Sequence, residues 1–171
     1  VDLRDGNQAL IEPMDIDRKM RMFKMLLTIG FREIEVGFPS ASQLDFDFIR
    51  KIIDEDLVPN GVAIQVLTQA RRDLIERTFE SLKGAKRAIV HFYNATAPVM
   101  RKVVFGLDKN GVKNISTHHA KIIKEFADFQ SETEWSFQFS PEMFSSTEIE
   151  FSRDVCDEVI NIDRKSTRLN S

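Results

Sequence analysis

Residues 87–92 read RAIVHF, an almost uninterrupted apolar run that begins shortly after Gly84 and ends before the polar pair Tyr93 and Asn94. Runs of this kind are typical of strands in a parallel sheet that is covered by helices. The segment before Gly84 is predicted to be a helix because its apolar residues recur at helical spacing, at Leu74, Ile75, Phe79 and Leu82. This stretch therefore predicts a helix followed by a parallel strand.

The same alternation of strand and helix extends in both directions along the chain. Further strands are predicted at residues 32–36 (REIEV), 62–67 (VAIQVL) and 135–139 (WSFQF), and a first strand is expected to end at Arg4 and Asp5. Further helices are predicted at 17–29 between an Asp15 N-cap and Gly30, after Ser40 or Ser42, briefly within 98–111, at 112–126, and after a capping box of Ser145 and Glu148. The cadence therefore predicts five βα units.

Periodicity alone leaves two architectures open, a doubly wound sheet and a (β/α)8 barrel. Polar residues follow every predicted strand, which favours the barrel, because a doubly wound sheet binds ligands mainly at its switch point: Arg4, Asp5, Glu35, Gln65, Thr68, His91, Tyr93, Asn94, Ser140 and Glu142. Glycine-rich phosphate loops are absent from the sequence. A whole barrel takes about 250 residues, so the predicted fold class is α/β, a partial (β/α)8 TIM barrel with about five of eight units.

Composition excludes several classes of partner. The formal net charge is −3, and the 24 basic residues are interspersed with 27 acidic ones, so no basic surface for nucleic acid is expected. No apolar run approaches the roughly 20 residues that span a bilayer, and no membrane partner is expected. The one cysteine, Cys156, excludes an internal disulfide.

The two ends of the sequence look unlike those of a natural protein. The chain begins at Val1 without an initiator methionine, and we expect that a segment is missing upstream. Residues 163–171 read DRKSTRLNS, which is residue for residue the translation of a common sequencing-adapter read. We therefore predict one partial catalytic TIM-barrel domain at 1–162 and a non-native tail at 163–171.

Arg4, Asp5 and Glu35 form the first candidate site, because neighbouring strands of a barrel would bring them together. In a functional reading, Asp5 binds a hard cation, Arg4 holds negative charge that develops on an oxygen, and Glu35 fixes the plane of the guanidinium group. The alternative is a purely structural salt bridge. Spacing alone leaves both readings open.

Five ordered motifs carry a resemblance to a known family: DLRDGNQAL at 2–10, IEVGFPSAS at 34–42, QVLTQ at 65–69, IVHFYN at 89–94 and SPE at 140–142. Together they resemble the α-isopropylmalate synthases of the DRE-TIM metallolyase superfamily, whose name matches Asp5, Arg4 and Glu35. DGNQA is similar to the longer bacterial and fungal branch, and the resemblance extends to about residue 162. Phe137 to Phe139 depart from the more polar family pattern, which leaves the details of the pocket open.

The resemblance implies a condensation of acetyl-CoA with α-ketoisovalerate to 2-isopropylmalate and CoA, on the leucine pathway. It implies Arg4 and Glu35 as catalytic residues, Arg4, His91 and Glu142 as substrate-binding residues, and Asp5 as a ligand of a divalent metal ion such as Mg, Mn or Zn. Two histidines of an HxH motif on a later strand would complete the metal site. It further implies a homodimeric, cytoplasmic bacterial enzyme, with an organelle open for a eukaryotic source, and an inactive isolated fragment.

Other assignments stay open at this stage. Homocitrate synthase, citramalate synthase and hydroxymethylglutaryl-CoA lyase share Arg4, Asp5 and Glu35, and a catalytically silent barrel segment is an alternative from a different class. His118 and His119 are adjacent on a predicted helix, where side chains point about 100° apart, so they are expected at the surface and not as metal ligands.

Overall fold

The computed structural model describes residues 2–167, with the side chains of residues 3–162. Within these residues, helices and strands alternate along the chain. The helices are α1 (Ile16–Ile29), α2 (Gln43–Asp54), α3 (Arg72–Leu82), α4 (Lys109–Phe129) and α5 (Ile149–Thr167). The strands are β1 (Glu33–Gly37), β2 (Ala63–Gln69), β3 (Arg87–Ala95) and β4 (Glu134–Glu142).

The four strands form one parallel sheet in the order β1-β2-β3-β4. Each strand pairs with its successor in the chain, and the intervening helices α2, α3 and α4 make the crossovers. A doubly wound sheet reverses its strand order at a switch point, and this order contains no reversal. The described residues therefore confirm the prediction of an α/β fold that corresponds to part of a TIM barrel.

Local sequence signals place the helix ends well. Asp15 caps α1 by accepting a hydrogen bond of 2.8 Å from the Arg18 N–H. Gly30 ends the helix with φ at 101°, a conformation in which a side chain would be strained. Ser42, and not Ser40, caps α2 through the Asp45 N–H at 3.2 Å.

The prediction of a first strand ending at Arg4 and Asp5 is wrong for the described residues, because Asp2–Gly6 is a π-helical turn. The sheet there has four strands and not five. Leu3 is fully buried against the core, and the Arg4 side chain reaches Glu35 on β1. Both contacts are made with residues distant in the sequence, so a local sequence pattern does not predict the turn.

The predicted capping box at Ser145 and Glu148 is also wrong. Ser145 lies in a separate 3-10 turn at Phe144–Ser146, before α5 begins. The two Glu148 carboxylate oxygens accept hydrogen bonds of 3.0 and 2.9 Å from Arg101. The carboxylate is therefore engaged by a charged donor from another loop, where a π-helical turn at Met100–Phe105 stands in place of the predicted short helix.

The predicted non-native tail at 163–171 begins within α5. The backbone of α5 continues to Thr167, and residues 168–171 lie outside the described residues. Among the described residues, no helix combines the length and the apolar character that crossing a membrane requires.

The core lies between the sheet and the helix layer. Phe79 on α3 is 1% exposed, and its ring lies 5.4 Å from that of Phe126 on α4 and 4.9 Å from that of Trp135 on β4. Phe23 and Phe48 make an edge-to-face contact at 6.2 Å between α1 and α2. Aromatic contacts thus join successive βα units to each other.

We expect Phe79→Ala to reduce the stability of the full-length protein by about 3–5 kcal/mol, because it leaves a cavity between two helices and a strand. The thermal unfolding midpoint measures the loss. Phe129→Ala removes the same atoms at a position that is 87% exposed and is the matched control. Equal midpoints for the two variants would contradict this account of the core.

Candidate functional site

The inner face of the sheet carries the polar residues of the site. Side chains alternate between the two faces of a strand, and Tyr93 pairs with Ser140 across the β3–β4 ladder. His91 is two residues from Tyr93 and is therefore on the same face. Ser140 shares this face through its pairing with Tyr93, and Glu142 shares it because it is two residues from Ser140. All four point away from the layer of helices.

An open cleft of about 330 Å³ lies at the carboxyl end of the strands. Its walls are Arg4, Gln8, Phe38, Leu67, His91, Tyr93, Ser140 and Glu142. Three of the predicted site residues, Arg4, His91 and Glu142, are thus brought together. Glu35 and Asp5 contact Arg4 and are not among the residues that line the cleft.

Arg4 is held by two carboxylates. Its Nε donates to Glu35 Oε1 at 2.7 Å, and its Nη1 donates to Asp5 Oδ1 at 3.0 Å. The side chain of Glu35 is 8% exposed and that of Asp5 is 65% exposed. The buried Glu35 carboxylate therefore fixes the orientation of the guanidinium group. Asp5 remains accessible to solvent. Arg4 has further N–H donors that are available to a ligand.

His91 bonds to the neighbouring strand. Its Nε2 lies 2.7 Å from Ser140 Oγ, and a neutral imidazole can donate or accept in this contact. Burial lowers the pKa of His91 below its ordinary 6.5, with Glu35 acting to raise it and Arg4 to lower it. The ring is therefore neutral at pH 7 and offers hydrogen bonding to a ligand without a positive charge.

Tyr93 and Phe38 form an aromatic wall. Their rings meet edge to face, with centroids 6.2 Å apart. Burial raises the pKa of Tyr93 above its ordinary 10, and the Glu142 carboxylate adds to the rise. The phenol therefore stays protonated at neutral pH.

Asp5 has the right chemistry for a hard divalent cation, because its carboxylate oxygens are partly exposed at the edge of the site. It is a single carboxylate. Among the described residues, no group of three His, Cys, Asp or Glu side chains gathers to hold a metal ion. The described residues therefore offer the Asp5 carboxylate as one group that could hold such a cation.

Two of the strand-end residues lie on the other face of the sheet. Thr68 and Asn94 are buried, and the Asn94 amide donates to the Val112 carbonyl at 3.4 Å and to Ser116 Oγ at 3.2 Å on α4. They do not line the cleft. Counting them with the strand-end residues that bind a ligand was therefore wrong. Strand alternation counted from His91 assigns Asn94 to the helix side, and the pairing of Thr68 with Phe92 assigns Thr68 to the same side.

Three wall residues were missed by sequence reasoning. Leu67 pairs with His91 in the ladder between β2 and β3, so its place on the inner face follows from the register. Gln8 lies just after the π-helical turn at Asp2–Gly6 and Phe38 lies just after β1, in stretches too short to show a periodic pattern. Both lie inside the family motifs, Gln8 in DGNQA and Phe38 in VGFPSAS, and these motifs could have indicated that the two residues belong to the site.

The arrangement can bind a small acid. A guanidinium group with a fixed plane supplies charged donors to carboxylate or alkoxide oxygens. The neutral imidazole of His91 and the protonated phenol of Tyr93 supply further hydrogen-bonding groups on the same face. Leu67 and Phe38 give the cleft apolar surface for a short hydrocarbon chain.

Comparisons with known proteins place the chain in a family. The family model described as HMGL-like matches residues 1–170. The 2-isopropylmalate synthases of Ralstonia pickettii (strain 12J) and Paraburkholderia xenovorans (strain LB400) are each 62% identical to it over 161 residues, which are 94% of this chain and 28% of the relative. The 2-isopropylmalate synthase of Pseudomonas putida (strain W619) is 59% identical over 161 residues, 94% of this chain and 29% of that protein.

The chain spans less than a third of the length of these relatives. The match to the family model, in contrast, extends over nearly all of the chain and includes every residue of the cleft. This chain belongs to the HMGL-like family.

Proposed function

We propose that the chain is part of the catalytic barrel of a 2-isopropylmalate synthase, which condenses acetyl-CoA with α-ketoisovalerate to give 2-isopropylmalate and CoA. The observation that carries the proposal is the guanidinium group of Arg4, held by buried Glu35 at 2.7 Å beside a cleft that His91 and Glu142 also line. The names of relatives that are about 60% identical support it.

In this proposal Arg4 is the residue that stabilises the developing charge. When the keto carbon is attacked, its oxygen becomes an alkoxide, and a preorganised guanidinium group lowers the energy of that state without having to reorient. Glu35 acts through Arg4, because its carboxylate fixes the guanidinium plane. Both residues thus contribute to the step that forms the carbon–carbon bond.

His91 and Glu142 are the proposed substrate-binding residues together with Arg4. A neutral imidazole can hydrogen-bond a substrate oxygen and does not compete with Arg4 as a second cation. Phe38 and Leu67 line the same cleft, and we assign them to the isopropyl group of α-ketoisovalerate. One added or missing methylene in such a pocket changes binding by about 1–3 kcal/mol, so this wall affects the choice of keto acid.

Asp5 is the proposed protein ligand of a divalent cation, with Mg, Mn and Zn as candidates. A bound divalent cation would act as a Lewis acid on the keto acid. The remaining ligands are proposed to be the two histidines of an HxH motif elsewhere in the full-length protein. Asp5 also accepts a hydrogen bond from Arg4, so the residue that would hold the cation is in contact with the guanidinium group.

The overall reaction balances without an oxidant or reductant. The methyl group of acetyl-CoA loses a proton to a base, and its carbon bonds to the keto carbon. The keto oxygen takes up a proton to become a hydroxyl group, and water cleaves the thioester to release CoA. We assign none of the described residues as that base.

The proposal also includes a role in leucine biosynthesis and a homodimer in the bacterial cytoplasm. It includes a non-native origin for residues 163–171, which the genomic sequence of the source would test.

Release of CoA from acetyl-CoA, followed with a thiol reagent, tests the proposed function. The full-length protein is expected to release CoA in a metal-dependent way with α-ketoisovalerate, and much more slowly with pyruvate or α-ketoglutarate. The 171-residue chain alone is expected to release none, because β1 and β4 are open edges and Asp5 is its one assigned metal ligand. A preference for another keto acid would transfer the assignment to a different condensing enzyme.

Asp5→Asn in the full-length protein is expected to weaken metal binding and abolish turnover, because a neutral amide is a poor ligand for a hard cation. Metal content after dialysis and CoA release measure the two effects. The matched control is Asp73→Asn, which neutralises an exposed aspartate that also pairs with a nearby arginine, Arg71. Full metal content and activity in the Asp5 variant would remove Asp5 from the metal site.

Arg4→Lys is expected to lower kcat by orders of magnitude, because a point charge cannot reproduce the planar fork that Glu35 orients. Steady-state kinetics with varied α-ketoisovalerate separate kcat from KM. Arg71→Lys makes the same change at an exposed ion pair and should leave both constants unchanged. A change confined to KM would instead assign Arg4 to ground-state binding.

A further inference from the structure

Lys19 on α1 is a fully buried cation that lies outside the cleft. Its side chain is 0% exposed, and its Nζ donates to the Asp45 carboxylate on α2 and to the Val36 carbonyl at 3.1 Å. The ammonium group also lies 5.2 Å from the centre of the Phe48 ring. Burying two charges costs several kcal/mol per ion. Apolar residues of similar size would join the same helices and strand without this cost.

The Val36 carbonyl belongs to an irregularity in the sheet. In the ladder between β1 and β2, Glu35 pairs with Gln65 and Gly37 pairs with Val66, so Val36 is an extra residue on β1. Such β-bulges remove a residue from the regular ladder and change the direction of neighbouring side chains. The Lys19 ammonium supplies a hydrogen bond to the carbonyl at the bulge.

Asp45 holds the other side of the same bulge. Its Oδ2 accepts a hydrogen bond of 2.8 Å from the Phe38 N–H, while Oδ1 accepts from Lys19. Gly37 lies directly against this carboxylate, since a Cβ there would stand 2.9 Å from Asp45 Cβ and Cγ. Both oxygens of the Asp45 carboxylate therefore accept hydrogen bonds near the bulge. The carboxylate fits there because residue 37 is a glycine and has no Cβ.

We propose that the Lys19–Asp45 pair positions the bulge so that Glu35, the residue before it, is aimed at Arg4. The pair is thus a positioning device for the guanidinium group and touches neither substrate nor metal. Its effect on catalysis rests on the proposed function, whereas its effect on the contact between Arg4 and Glu35 does not. The competing explanation is an ion pair that serves only to join α1, α2 and β1.

Asp45→Asn in the full-length protein distinguishes these explanations. Lys19 and the Phe38 N–H donate to different oxygens of the carboxylate, and the amide replaces one of these oxygens with an NH2 donor, so one of the two contacts loses its acceptor. We expect kcat to fall roughly 10- to 100-fold, the range for a misplacement of about 1 Å in a catalytic group. Asp54→Asn is the matched control, because Asp54 lies on the same helix, pairs with Arg50 and is 61% exposed.

A double-mutant cycle with Glu35→Gln supplies the readout that a structural role would not change. If Asp45 acts through Glu35, the kcat loss from Asp45→Asn should shrink to within about twofold once Glu35 is replaced. Losses that multiply in the double variant would overturn the proposal. Circular dichroism and the thermal midpoint establish that each variant is folded at the assay temperature.

Gly37→Ala is the second variant, which keeps both charges and pushes the Asp45 carboxylate away from β1. It should give the same kcat loss and the same cycle with Glu35→Gln. Crystal structures of the variants provide a measurement independent of activity, with the Arg4 Nε to Glu35 Oε1 distance expected to exceed 3.5 Å, against 2.7 Å here. An intact contact in folded variants overturns the proposal even if the wild-type protein proves to have another activity.

Discussion

Side-chain alternation along four parallel strands is the constraint on which both the core and the site depend. Val66, Val90 and Phe92 point to the helices and are buried, while His91 and Tyr93 point to the cleft. A shift of one residue in register would exchange these two sets and destroy core and site together. The register that packs the core therefore also assembles the cleft.

Features that depend on neighbouring residues in the sequence could be predicted, and those that depend on distant ones could not. The helix cap at Asp15, the end of α1 at Gly30 and the strand around RAIVHF follow from short-range patterns. The π-helical turn at Asp2–Gly6 does not, because its Arg4 bonds to Glu35, 31 residues later. The grouping of His91 and Glu142 could be predicted from their strand ends, and the place of Arg4 beside them from the family motifs, but Phe38 required the path of a loop.

Charged pairs secure the ends of the strands, where the regular ladder stops. At β1 this is the Lys19–Asp45 pair. At β3 and β4, Arg101 donates to the Thr96 carbonyl and to Glu148, while the Thr96 N–H donates to the Glu142 carbonyl at 3.1 Å. Hydrogen bonding to Arg101 lowers the pKa of Glu148 to about 2, so both partners of that pair are charged at neutral pH. Residues of the cleft thus lie next to backbone where ionic contacts add to the hydrogen bonds of the sheet.

The cleft contains one half of the chemistry that the proposed reaction requires. Arg4 with Glu35 supplies a fixed positive charge, and His91 with Ser140 supplies a neutral hydrogen-bonding group. Both functions suit a carbonyl oxygen that becomes negative. Deprotonation of acetyl-CoA and completion of the metal site are assigned to other parts of the full-length protein. In a closed barrel those parts would enclose the same mouth, since β1 and β4 are the edges of the sheet described here. On this proposal, closing the barrel unites the charge-stabilising half of the site with its base.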